Sequence, residues 1–80
     1  MPYITQERRH ALNWTLPSPK TAGELNYLFI KLCAHYVATN FNYQAMNDCL
    51  GALEGAKLEF YRRVVVSYED KKREENGDVY

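Results

Sequence analysis

Residues 42–73 contain no proline, and their apolar side chains recur at intervals of three and four. At about 100° per residue, Met46, Cys49, Leu50, Leu53, Ala56, Phe60 and Val64 fall on one stripe of a helix. The pattern predicts a single helix from near Asn42 to about Arg73, roughly two-fifths of an 80-residue chain. A chain that commits so much of its length to one rod is expected to be all-α, and no convincing strand occurs elsewhere. The opposite side of this helix is not purely polar: Gly51, Gly55, Leu58, Arg62, Val65 and Val66 lie there. Each glycine costs about 1 kcal/mol of helix propensity relative to alanine. The pair is therefore either incidental or the mark of a close helix contact, within the chain or across subunits.

Two shorter helices precede it. The first is expected near residues 4–12, with Thr5 as N-cap and Glu7 in the first turn, where a negative charge suits the helix dipole. Pro17 and Pro19 then force an extended connection. Trp14 and Leu16 are expected to pin that connection onto the core. The second helix is expected over residues 21–38, opened by a capping box of Thr21 and Glu24. Leu25, Leu28, Phe29, Leu32 and Tyr36 form one stripe, and Ile30, Ala34 and Val37 occupy much of the other side beside Asn26 and Tyr27. A helix this apolar all round is covered by more than one neighbour. After Tyr68 the run Glu-Asp-Lys-Lys-Arg-Glu-Glu reads as a solvated final segment with local ion pairing. Asn76-Gly77 stops the helix, and residues 76–80 form a short tail whose terminal Tyr80 is suited to docking on a partner.

The expected architecture is thus one all-α domain over residues 1–80, a three-helix protein dominated by a helical hairpin of helices two and three, with Leu28, Leu32, Leu53 and Phe60 buried. So short a chain buries only a small fraction of its surface alone. With two helices apolar on both sides, a homo-oligomer is expected, most simply a two-fold dimer.

Ten Lys and Arg balance ten Asp and Glu, which argues against a nucleic-acid backbone as the main partner, so no DNA is expected. No apolar run is long enough to cross a membrane, and the N-terminus lacks a secretory pattern, so the chain is read as cytoplasmic. Cys33 and Cys49 sit inside helical patterns, where free thiols pack as small apolar groups. His10 and His35 have no ligand at metal-binding spacing. There is no phosphate-binding glycine loop and no nucleophile elbow. Enzymatic activity, a cofactor and a metal site are not expected.

The richest local chemistry lies between Lys57 and Tyr68. Lys57 and Tyr61 are one turn apart on one face, while Arg62 and Arg63 are expected to point to different sides. Arginine can hold a carboxylate or phosphate through paired hydrogen bonds, and tyrosine can stack on a base. The same side chains are equally suited to snorkelling from an interface and pairing with Glu59 or Glu69. Asn26 is the second point of interest. It faces an otherwise apolar side, where a buried amide must find hydrogen-bond partners, either a backbone or subunit bridge or a ligand.

At these residues the chain resembles a family of small proteins encoded by bacteriophages and prophages. The matching stretches are Gly23-Glu24-Leu25-Asn26-Tyr27, Gly51-Ala52-Leu53-Glu54, the run from Ala56 to Val65, Tyr68 to Lys72 and the tail from Glu75 to Tyr80, with Tyr3-Ile4-Thr5 and Arg8 or Arg9 near the start. The resemblance implies phage origin and a place in the host cytoplasm. Small phage proteins of this kind often counter host defence. One expected mechanism is a sponge that sequesters a nucleotide-derived immune signal, a cyclic dinucleotide or an ADP-ribose derivative, without turnover. In that reading Arg62 or Arg63 holds phosphate, Tyr27 or Tyr61 stacks on a base, Asn26 bonds base or ribose, and Lys57 adds positive charge. The alternatives are a protein-binding inhibitor of a host defence complex, as anti-CRISPR proteins are, and a structural or housekeeping phage role.

Overall fold

The computed structural model describes residues 4–77, and within them the chain is all-α, with three helices and no strand. The expectation for the terminal tail at 78–80, like Tyr3 of the resemblance, lies outside the described residues. The chain divides into two units, Met1–Asn40 and Phe41–Tyr80. The hairpin expected of helices two and three is a pairing between these units and belongs to neither one alone.

In the first unit, α1 spans Gln6–Asn13 and α2 spans Ala22–Ala38. Each starts where a side chain can satisfy an orphan backbone donor. The Thr5 hydroxyl accepts from the Arg8 N–H at 3.2 Å, and the Thr21 hydroxyl accepts from the Glu24 N–H at 3.1 Å. The return bond of the expected capping box falls one residue earlier than usual: Glu24 Oε1 accepts from the Lys20 N–H at 3.0 Å. Within this unit α1 and α2 share no packed face.

Trp14 and Leu16 do not pin the connection onto a core. They are 81% and 68% exposed. The Trp14 indole N–H instead donates to His10 Nε2 at 3.2 Å, one helical turn back, with the two rings edge to face. A polar partner four residues away satisfies the indole locally, so burial is not required of it.

The second unit is one long helix in three segments: α3 at Tyr43–Phe60, a π turn at Tyr61–Val65 and α4 at Val66–Asn76. Asn42 caps its start, its side-chain oxygen accepting from the Ala45 N–H at 2.8 Å. Gly77 ends it with φ +84°, a conformation that side chains disfavour, and its N–H returns to the Arg73 carbonyl at 2.8 Å. At 1.5 Å per residue this rod is roughly 50 Å long.

The burial expected from the stripes is not met within the single chain. Leu28 is half-buried, but Leu32, Leu53 and Phe60 are 65%, 40% and 61% exposed. Among the described residues only Ala45 is buried. For Leu53 and Phe60 the physical reason is geometric: a helix cannot cover its own stripe, and among the described residues the second unit has no other element. Val65 and Val66, at the end of the π turn, are half-buried and Val64 is half exposed, where the sequence placed Val64 on the stripe and the other two opposite.

Candidate functional site

The candidate residues fall into two sets. Asn26 and Tyr27 belong to α2 of the first unit, and Lys57, Tyr61, Arg62 and Arg63 to the helix of the second.

In the first unit, the extended connection brings Pro17, Ser18 and Pro19 beside the start of α2. Together with Gly23, Glu24, Tyr27 and Leu28 they line an open, mostly apolar groove. Two prolines make this wall rigid, because their φ angles are fixed. Tyr27 presents its ring here, with the Lys31 ammonium 5.6 Å from the ring centroid, a cation–π arrangement along one turn of the helix. Asn26 is exposed. The expected obligation of a buried amide to find partners therefore does not apply, since water can satisfy it.

In the second unit, Arg62 and Arg63 do not point to different sides. Both converge on Glu59. Arg62 Nη2 donates to Glu59 Oε1 at 2.8 Å and also contacts Oε2, and Arg63 Nε donates to Oε2 at 3.1 Å. Positions three and four residues apart on a helix are neighbours, so one carboxylate can gather two successive guanidinium groups. Hydrogen bonds from Arg62 and then Arg63 hold the Glu59 carboxyl below its ordinary pKa. The carboxylate is half-buried beneath them, while the two arginine side chains are 72% and 73% exposed. Each arginine engages Glu59 through a single nitrogen, and a guanidinium carries five N–H donors. The remaining donors belong to side chains that stand largely in solvent.

The π turn is built on the same residues. The Val66 N–H bonds the Tyr61 carbonyl, five residues back, and the Ser67 hydroxyl donates to the Arg63 carbonyl at 3.0 Å. The Tyr61 N–H reaches back to the Lys57 and Leu58 carbonyls. This fixes Lys57 and Tyr61 one turn apart, as the sequence indicates. The Lys57 ammonium lies 4.0 Å from Glu54, with both side chains largely in solvent. Of the two acids that the sequence offers these arginines, Glu59 and Glu69, the structure uses Glu59, which precedes Arg62 by three residues and Arg63 by four. The π turn has no signature in the sequence.

Gly51 and Gly55 lie one turn apart on α3, and a Cβ built on either would meet no atom within 4 Å. Among the described residues nothing is held close by their lack of a side chain. Cys33 and Cys49 are half-buried thiols with no disulfide. Among the described residues no group of three His, Cys, Asp or Glu side chains is placed to hold a metal ion, and no helix is long and apolar enough to cross a membrane.

The chain is a small all-α protein in which Arg62 and Arg63 of one π turn converge on Glu59. The chain belongs to the DUF6899 family, a domain of unknown function, whose match covers residues 1–79. No curated protein and no solved structure matches it.

Proposed function

We propose that this protein is a binding protein without turnover, which captures a nucleotide-derived anion at the π turn. One observation carries the reading: Glu59 gathers the guanidinium groups of Arg62 and Arg63, two residues of the π turn Tyr61–Val65, and Tyr61 of that turn is half exposed. Such turns inside α-helices occur frequently at functional sites. Guanidinium donors gathered on Glu59 suit a phosphate group, and the exposed phenol ring of Tyr61, in the same turn, suits a base. Lys57 adds charge one turn away. Tyr27, on its proline-walled groove, and the exposed amide of Asn26 offer a second stacking and hydrogen-bonding surface on α2. The setting we assign, a phage-encoded protein that sequesters a host immune signal in the host cytoplasm, rests on the sequence resemblance.

Calorimetry against a panel of cyclic dinucleotides and ADP-ribose derivatives tests this reading. Binding is expected with recovery of the ligand intact after heating the complex. Arg62→Ala and Arg63→Ala are each expected to weaken it about tenfold or more, because a charge-assisted hydrogen bond contributes about 1.5–3 kcal/mol. Conversion of the ligand, or binding unchanged in both variants, overturns it. The protein-binding alternative draws on a different observation, the exposed Phe41 and Tyr43. It takes over if no nucleotide binds and a host defence protein co-purifies with the chain.

A further inference from the structure

The hydrogen bond between Trp14 and His10 exists in only one charge state of the imidazole. The indole Nε1–H donates to His10 Nε2 at 3.2 Å, and the rings meet edge to face at 83°. A ring nitrogen accepts only while it carries no proton, and an imidazolium is a donor at both nitrogens. The bond therefore needs neutral His10, with its one proton on Nδ1. Histidine is the side chain whose ordinary change of charge falls between about pH 5 and pH 8. Among the described residues of the first unit nothing shields this one. His10 is exposed, and α2 shares no packed face with α1. Glu7, three residues before it, is the one acid of α1, and Arg8 and Arg9 are its other charged side chains. Trp14 is the C-cap of α1, so the bond sits where the chain leaves the helix for the proline wall of the groove.

We infer that His10 and Trp14 form a pH-sensitive latch at the exit of α1. Neutral His10 holds the indole back along the helix. A proton on Nε2 sets one N–H against another, and the indole is let go. The helix itself survives the change, because the imidazolium stands in the last turn of α1, where the helix dipole favours a cation. The turn that follows survives as well. The Thr15 hydroxyl and N–H reach the Leu12 carbonyl at 3.0 and 3.1 Å, and neither bond involves a titrating group. What acid changes is confined to two side chains. Trp14 gains a free N–H donor, and the run Arg8-Arg9-His10 becomes three consecutive cations. The exit of α1 thus passes from a self-paired end to one that presents one more donor and one more positive charge.

Nitrogen NMR of the full, isotope-labelled chain tests the latch. At about pH 8 a scalar coupling across the hydrogen bond is expected between Trp14 Nε1 and His10 Nε2, with the imidazole in its Nδ1–H form. At about pH 5 the coupling is expected to be lost, and the indole N–H resonance to move in step with the His10 ring, while helix content by circular dichroism stays constant. His10→Gln keeps an acceptor oxygen but does not titrate, so its indole resonance is expected to hold still over the same range. His35→Gln is expected to behave like the native chain. No coupling at the higher pH overturns the inference, as does a coupling that persists once His10 is protonated. An indole resonance that moves as far in His10→Gln assigns the change to another group and overturns it likewise. None of these outcomes depends on nucleotide binding, so this inference and the proposed function fail separately.

Discussion

The two units reach helicity by different means. In the first, the chain is punctuated: Thr5 and Thr21 start helices with side-chain caps, and Pro17 and Pro19 wall a groove against the start of α2. Its main helix, α2, has few charges and leaves large apolar side chains such as Ile30 and Leu32 exposed. The second unit is unpunctuated from Tyr43 to Asn76, and its charged side chains pair along the helix itself. Arg62 and Arg63 hold Glu59, Arg73 pairs with Asp70 at 2.6 Å, and Lys72 reaches Glu75 at 3.4 Å while lying over the Tyr68 ring. Such local pairs are worth only about 0.2–0.5 kcal/mol each on an exposed helix, but they need no partner. The last third of the long helix therefore draws on its own side chains, whereas α2 depends on burial to stay ordered. The difference separates where the protein tolerates solvent from where it requires cover.

The strongest way to break this contrast is to interrupt the rod. Leu53→Pro removes a backbone donor and clashes with the preceding turn, at a cost of about 3 kcal/mol or more. A large loss of helix content by circular dichroism is expected, while Ser18→Ala, between two prolines in the connection, leaves the spectrum unchanged. Equal effects would show that continuity of the second unit has no special weight.

The caps come next. Thr21→Ala and Asn42→Ala each delete a bond that satisfies a helix-end donor, and each is expected to cost about 1 kcal/mol in urea denaturation. The two caps allow a direct comparison between units. A much larger loss for Thr21 would place the weaker nucleation in α2.

Acid sharpens the comparison further. The Glu59 carboxyl has its pKa lowered by Arg62 and Arg63. Its folded pKa is below the unfolded value, so its contribution is present above the ordinary glutamate range and is lost as pH falls through the folded pKa. Helix content of the native chain is expected to drop more between about pH 5 and pH 2 than that of Glu59→Gln, which has no charge there to lose. By carbon NMR, Glu59 is expected to titrate below the ordinary glutamate range, because Arg62 and Arg63 hold its carboxylate. Titration within that range would show that the arginines do not hold it in solution.

The smallest effect expected is a gain. Gly51→Ala adds a Cβ that meets nothing within 4 Å and is expected to stabilise the helix by about 0.5–1 kcal/mol. A loss instead would reveal a close neighbour at that face.

Much of the architecture is legible in the residues because it is set locally. The caps at Thr5 and Thr21, the proline break and the stop at Gly77 depend on side chains within four residues, and all stand where the pattern puts them. The burial of Leu32, Leu53 and Phe60 is not legible, because a stripe records that cover is needed without supplying it. At the candidate site, the contact of both arginines with Glu59 follows from helical spacing, while the expectation that they diverge came from counting 100° per residue and ignoring the reach of their long side chains. The π turn escaped for a different reason. An extra residue in one turn is a matter of which carbonyl the Val66 N–H chooses, and Tyr-Arg-Arg-Val-Val suits an ordinary α turn as well.

Trp14, hydrogen-bonded to His10 at the end of α1, is the sole tryptophan of the chain. Light absorbed and emitted by its indole therefore reports on the first unit alone. The second unit has only phenylalanine and tyrosine as chromophores. The first half of the molecule thus carries its own optical label in the native sequence, so its melting can be followed by indole emission against the helix content of the whole chain without attaching a dye.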